Sequence, residues 1–173
     1  MTIDGLITVR SSFGHGETLA RFEAAVRANG LRIVAGVDHA IAACETGVSL
    51  DATTVLIVGD GRRQAAVVNA LRLIALELPF KVLIWQDATG QTCLSYTDFR
   101  WLATRYGVRR DDVCMFTDMA VMIDGIARKA GSPPEQRRLH PLLTTPSRQW
   151  PLPDRLSATA SDPSSCSPTS DGC

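Results

Sequence analysis

The chain has 173 residues, enough for one domain with a proper core and too few for two of ordinary size. Its 45% hydrophobic and 21% charged residues are those of a globular protein, and eighteen basic residues balance eighteen acidic ones, so no global field favours nucleic acid or an anionic membrane. No run approaches the roughly 20 apolar residues that span a bilayer, and the opening MTIDGLITVRSS lacks the basic and apolar regions of a secretory signal, which makes the cytoplasm the expected compartment.

Residues 6–10 alternate weakly and read as a first strand. In SSFGHGETLARFEAAVRANG, apolar Leu19, Phe22, Ala25 and Val26 recur at helical spacing while Arg21, Glu23 and Arg27 face outward. Glu17 in the first turn suits the helix dipole, and Gly30 stands just past the end. Residues 31–37 (LRIVAGV) read as a second strand, after which Asp38 caps a short helical turn, HAIAACET, that Gly47 ends. Residues 54–59 (TVLIVG) make a third strand. Asp60 and Gly61 then lead into a helix over about residues 62–78, with Val67, Val68, Leu71, Ile74, Ala75 and Leu78 as its core stripe and Pro79 as its stop.

Residues 81–86 and 92–96 form a hairpin through Asp87-Ala88-Thr89-Gly90, which has Asp at the first turn position and Gly where a positive φ is needed. Lys81, Leu83 and Trp85 share one face of the first of these strands, and Phe80, Val82 and Ile84 the other, with Tyr96 pairing across to Trp85 or its neighbours. A short helix over 99–106 ends at Gly107. A last helix over 113–130, capped by Asp111 or Asp112, puts Phe116, Met119, Ala120, Ile123 and Ala127 on one face. From Ser132 onward Pro, Ser and Thr dominate; such a composition cannot offset its chain entropy by burial, so the expected domain is 1–131 and residues 132–173 are expected to be a disordered tail.

The ordered combination of Glu17-Thr18 at a helix start, Asp38-His39-Ala40 after the second strand, Leu78-Pro79-x-Lys81 before a Trp85-bearing hairpin, and Tyr96 closing it resembles the DUF302 family of unknown function, from about Ser11 to Gly107. The resemblance implies an α+β fold of the β-α-β(4)-α type, an antiparallel sheet with helices packed on one face, in small homodimers. The helix over 113–130 is expected as an extra element beyond the resemblance. The turn Val58-Gly59-Asp60-Gly61 replaces the Phe-Gly-Asn-Pro turn usual in the family.

The strongest chemical candidates are few. Asp38-His39 at the start of a short helix could form a proton shuttle or ligand, with Glu17 approaching it; the plainer reading is that Asp38 caps the turn and His39 bonds locally. Gly59-Asp60-Gly61-Arg62-Arg63, between a strand and a helix N-terminus, could hold a phosphate or carboxylate, but it matches no phosphate-binding motif and Asp60 would repel an anion. Trp85 could line an apolar ligand slot, though core or interface is the commoner place for it. His15 reads as a loop histidine, and His140 falls in the expected tail.

No Cys/His spacing supports a metal site, so no metal and no cofactor is expected. The five cysteines are expected as free thiols, with Cys44, Cys93 and Cys114 buried and inert, and Cys166 and Cys173 in the tail. Three functions remain open, in this order: a non-enzymatic homodimer that binds a small molecule or a protein, an enzyme using His39 as general acid or base, and a thiol-based stress sensor. Both apolar runs, TVLIVG and FKVLIW, carry apolar residues on two faces. Either a twin subunit or the last helix must therefore cover the second face.

Overall fold

A computed structural model describes residues 3–133; the expected tail from residue 134 on, with His140, Cys166 and Cys173, lies outside the described residues. The elements follow one another as β1 (Leu6–Arg10), α1 (His15–Ala28), β2 (Arg32–Asp38), α2 (His39–Glu45), β3 (Thr53–Gly59), α3 (Gly61–Ala70), a 3₁₀ turn (Arg72–Leu76), β4 (Phe80–Gln86), β5 (Thr92–Thr97), α4 (Phe99–Arg105), a second 3₁₀ turn (Arg110–Asp112) and α5 (Val113–Gly131). The five strands form one sheet in the order β1-β5-β4-β3-β2, antiparallel at each junction. This is the expected α+β architecture.

Local chemistry explains most boundaries. Gly30 has φ +72 and ends α1, with its N–H bonded to the Arg27 carbonyl and the Leu31 N–H to that of Val26. Gly90 has φ +79 and closes the β4–β5 hairpin, where the Asp87 carboxylate accepts from the N–H groups of Thr89 and Gln91. The register of β2 on β3 shifts between Ile33 and Ala35, so Val34 is one residue too many on the edge strand.

The segment expected as one helix over 62–78 is two pieces. Helix α3 stops at Ala70, Leu71 is extended at φ −150 and ψ 101, and a 3₁₀ turn follows. Leucine and isoleucine occur all round this stretch, so no single stripe dictates one continuous axis. The break takes Val67 and Ile74 into the core and leaves Leu73 and Leu76 at 65% and 75% exposed. Nearby Asn69 also favours non-helical backbone. The expected cap on α5 is likewise absent: Asp112 makes no side-chain capping bond and instead accepts from Arg109 at 3.0 Å.

All the core lies on one side of the sheet. Leu56 and Val58 of β3, Phe80, Val82 and Ile84 of β4, and Leu94 and Tyr96 of β5 point to it, and α1, α4 and α5 cover it with Phe22, Val26, Leu102, Phe116 and Ile123. Helix α5 thus sits beside α1 on this face and does not cover the other one. Its C-terminal end is tied to the edge strand. The Ser12 N–H donates to the Gly131 carbonyl at 2.8 Å, and Arg21 of α1 donates to the carbonyls of Ala130 and Ser132 while stacking on Phe13. None of the described helices is long and apolar enough to cross a membrane.

A Cβ on Gly131 would lie 3.2 Å from the Arg10 carbonyl oxygen and 3.4 Å from Leu94. Gly131→Val is therefore expected to lower stability by about 1–3 kcal/mol through overpacking. Urea unfolding checks this; an unchanged midpoint would mean that the end of α5 is not seated against β1.

Candidate functional site

The residues singled out in the sequence are spread over separate local arrangements. Asp38 is the N-cap of α2, its Oδ1 accepting from the N–H groups of Ala40 and Ile41 at 2.9 and 3.0 Å. His39 is exposed at the first position of that helix, and Glu17, exposed on α1, pairs with Arg21 at 3.6 Å. No hydrogen bond or ion pair among the described residues joins His39 to Glu17 or to Asp38.

At the other turn, Asp60 caps α3 through the Arg63 N–H and pairs with the Arg63 guanidinium at 2.7 Å. Burial disfavours its ionised form, but the bonds from Arg63 outweigh this and hold its carboxyl below the usual range. Gly59 is buried, and a Cβ on it would come within 2.6 Å of the bulged Val34, while Gly61 and Arg62 are exposed. His15, expected in a loop, instead begins α1 and bonds through Nε2 to the Ile84 carbonyl at 3.2 Å.

A different set of residues does converge. Tyr96 is 3% exposed, and its hydroxyl donates to Asp124 Oδ1 at 2.7 Å; Arg128 Nε donates to Asp124 Oδ2 at 2.7 Å. Burial first, and the neighbouring Asp124 second, push the Tyr96 hydroxyl well above its ordinary value. For Asp124 burial works against ionisation, yet the bonds from Arg128 and Tyr96 prevail and keep its carboxyl below the ordinary range.

Beside this group a cavity of about 150 Å³ opens among Glu77, Phe80, Lys81, Tyr96, Phe99 and Leu102, closed by Thr97 and Ile123. Phe80 and Phe99 meet edge to face with centroids 6.0 Å apart. Glu77 is fixed at the rim by the Tyr106 hydroxyl, which donates to its Oε1 at 2.8 Å. Of this constellation Phe80, Lys81, Tyr96 and Ile123 stood out in the sequence, as strand or helix residues with no link to one another. The Asp124–Arg128 spacing is a helical i, i+4 pair that could have been found, but nothing local ties it to Tyr96.

Tyr96 does not pair with Trp85. It lies opposite Val82 on the core face, whereas Trp85 lies opposite Cys93 on the helix-free face and donates from Nε1 to the Ser95 hydroxyl at 2.9 Å. Ser95 also bonds to Thr8, so the indole lies over a small polar seam and buries it. The same face carries Val34 and Val37 of β2, both exposed, and half-buried Val55, Ile57 and Leu83, beside exposed Lys81 and Arg10. Cys93 is buried, and desolvation raises its thiol pKa. Contrary to expectation Cys44 and Cys114 are exposed, because α2 buries none of its residues and Cys114 lies on the outer face of the first turn of α5. Among the described residues no three His, Cys, Asp or Glu side chains gather closely enough to hold a metal ion.

The family model described as domain of unknown function DUF302 matches residues 7–129. The match takes in nearly all of α5, so this helix is not outside the resemblance. Among curated proteins, a fluoride-specific ion channel FluC 1 of Brucella suis is 34% identical over 104 residues, covering 60% of this chain and 41% of that protein. FluC 1 of Brucella abortus and FluC 2 of Brucella melitensis show the same identity, with 38% of each covered. The chain thus spans about two-fifths of the length of the curated relatives it matches. A crystal structure titled as an uncharacterized conserved protein DUF302 from Bacillus stearothermophilus superposes with a TM-score of 0.68 at 19% identity, over 74% of this chain and 99% of the other, a likeness of fold.

Removing the Tyr96 hydroxyl leaves a half-buried carboxylate oxygen without its donor, so Tyr96→Phe is expected to cost about 1 kcal/mol in urea unfolding at neutral pH. Because the Asp124 carboxyl is depressed in the fold, its contribution is fully present above the ordinary carboxylate pKa and fades as pH falls through the lower folded value. Asp124→Asn should therefore destabilise at pH 7, with the difference from the natural protein shrinking below about pH 4. A difference that does not change with pH would show that Asp124 acts by packing alone.

Proposed function

This chain belongs to the DUF302 family, and on that premise we propose that it is a non-enzymatic domain that pairs with a second copy of itself through the helix-free face of its sheet. The observation that carries the reading is a set of apolar side chains left uncovered along one stretch of the chain. Val34, Val37, Ile41, Val48 and Leu50, running from β2 through α2 into the next loop, are between 43% and 62% exposed. Helix α2 has seven residues, four of them Ala or Ile, and buries none. A helix so short is not stable alone in water and is held by what packs on it.

The size of the surface supports a second copy as the occupant. Five strands spaced about 4.8 Å apart, each rising about 3.3 Å per residue, give the sheet face a footprint of roughly 400 Å². A stable interface needs about 800 Å² per partner, so the sheet face supplies about half of one and exposed α2 residues would have to add to it. β2 is also an edge strand, whose free backbone groups favour a partner alongside. The compartment we assign is the cytoplasm, with no cofactor, membrane or nucleic acid in the role.

The curated relatives favour a second reading of the same domain. Each has a region like this one within a polypeptide named as a fluoride-specific ion channel. On that reading the domain serves a fluoride channel as an accessory part, and cells that lose it should grow less well in fluoride.

Sedimentation of the full chain should give a dimer at micromolar concentration. Val37→Asp and Ile41→Asp together should give a folded monomer with an unchanged circular dichroism spectrum. Alkylation of Cys44 on α2 should speed up in the variant. A natural chain that stays monomeric at all concentrations would sink the self-association.

A further inference from the structure

We propose that the two copies stack with their strands antiparallel, so that the acidic α2 arm of each lies over a basic corner of the other's sheet. The inference rests on the self-association proposed above and names the contact that fixes its geometry. Strand β2 ends at Asp38 and β3 begins at Thr53, so α2 and its loop, residues 39–52, stand at one end of the sheet. From Ile33 to Gly61 the chain has no Lys or Arg. Within the arm Glu45 and Asp51 are both exposed, and among the described residues neither takes part in an ion pair.

The opposite end of β2, β3 and β4 is basic. Arg32 lies opposite Gly59 and Lys81 opposite Ile57, out of phase with core-facing Val58 and Val82, so both side chains project from the helix-free face. A Cβ on Gly59 would sit 3.7 Å from Arg32 Nε and 2.6 Å from Val34, so the arginine and the bulged valine lie side by side over that glycine. Both cations are exposed, and among the described residues neither forms an ion pair. The five strands contain one acid, Asp38, and it is taken up in capping α2. Arg10, the third cation of the face, stands at the α2 end instead, within electrostatic range of Asp87 in the hairpin turn.

Charges divided in this way select one of the two aligned stackings. Packed sheets keep their strands within about 30° of one another, and a two-fold axis makes every contact twice. With like ends together, Lys81 on the central strand β4 meets Lys81 of the other copy. With opposite ends together, each arm brings Glu45 and Asp51 to Arg32 and Lys81, and its exposed apolar side chains to Val34. The arm thereby supplies contact area that the sheet face lacks by itself.

Sedimentation equilibrium on charge-reversed full chains tests this. Glu45→Lys with Asp51→Lys, or Arg32→Glu with Lys81→Glu, should each raise the dimer dissociation constant at least about tenfold, because every reversal is felt twice. All four positions are exposed, so each variant should keep the natural circular dichroism spectrum. An equimolar mixture of the two should form a heterodimer of near-natural strength, since each arm again meets the opposite charge. Reversals that leave the natural dimer's strength unchanged, or a mixture that stays monomeric, would overturn the antiparallel stacking while the dimer itself stands. Dissociation by Arg32→Glu but not by Lys81→Glu would also overturn it, pointing to β2 edges joined side by side. A natural chain that is monomeric throughout removes the self-association and this geometry together.

Discussion

A β-sheet has two faces, and the organisation of this protein follows from how unequally its two are treated. Alternation along β4 puts Phe80, Val82 and Ile84 on one side and Lys81, Leu83 and Trp85 on the other. An ordinary small domain makes the second side polar and leaves it in water. Here Val55, Ile57 and Leu83 put apolar side chains on it among Lys81, Thr53 and Arg10, and yet α1, α4 and α5 all lie on the first side. Trp85 covers only the seam formed by Cys93, Ser95 and Thr8. The placing of α5 decides this imbalance. Had its apolar stripe lain across Leu83 and Val55, the sheet would be closed and α2 would be the only uncovered element.

What fixes α5 on the first side is a combination of packing and one polar group. Phe116, Met119, Ile123 and Ala127 give it a buried stripe against α1, α4 and the sheet. That stripe alone tolerates sliding, because apolar contact is not directional. The hydrogen bond from Tyr96 to Asp124 sets the position of the helix along β5, and Arg128 pairs with the half-buried carboxylate from one turn further along. At the far end Gly131 lets the helix backbone approach Arg10 closely enough for the Ser12 bond. The cavity lies where these constraints leave a gap, between the Tyr96 anchor and the start of α4.

Much of this was legible in the sequence wherever one signal stood alone. Helix α1 shows a single apolar stripe and a glycine at its end, and both the element and its Gly30 stop follow. The hairpin is equally clear because Asp87 and Gly90 have few alternatives in a tight turn. The stretch after Asp60 was unreadable for the opposite reason: leucines on every side support several axes, and only tertiary contact with Val67 and Ile74 picks one. Cys44 and Cys114 were expected to be buried because apolar neighbours usually mean burial, and α2 breaks that rule. Tyr96 was seen, but its partner lies 28 residues away on a helix whose placement no local pattern reveals. Glu77 was hidden in the same way, as one polar position in a helix that is not continuous.

The charged groups also bear on what kind of work the domain does. Its ion pairs are mostly local, Glu17 with Arg21, Asp60 with Arg63, Arg109 with Asp112 and Asp124 with Arg128, and each pins a carboxylate to a neighbour on the same stretch of chain. For Asp60 and Asp124 the bonds from the paired arginine outweigh burial and stabilise the ionised carboxylate. Burial first and Asp124 second raise the Tyr96 hydroxyl above its ordinary value, and the bond to Glu77 raises that of Tyr106. Glu77 lies at the rim of the hollow walled by Phe80, Phe99 and Leu102, where the Tyr106 hydroxyl holds its Oε1. Among the described residues these polar groups serve to fix the frame of the fold. They make the helix-free face and the cavity two separate surfaces, which can be altered one at a time.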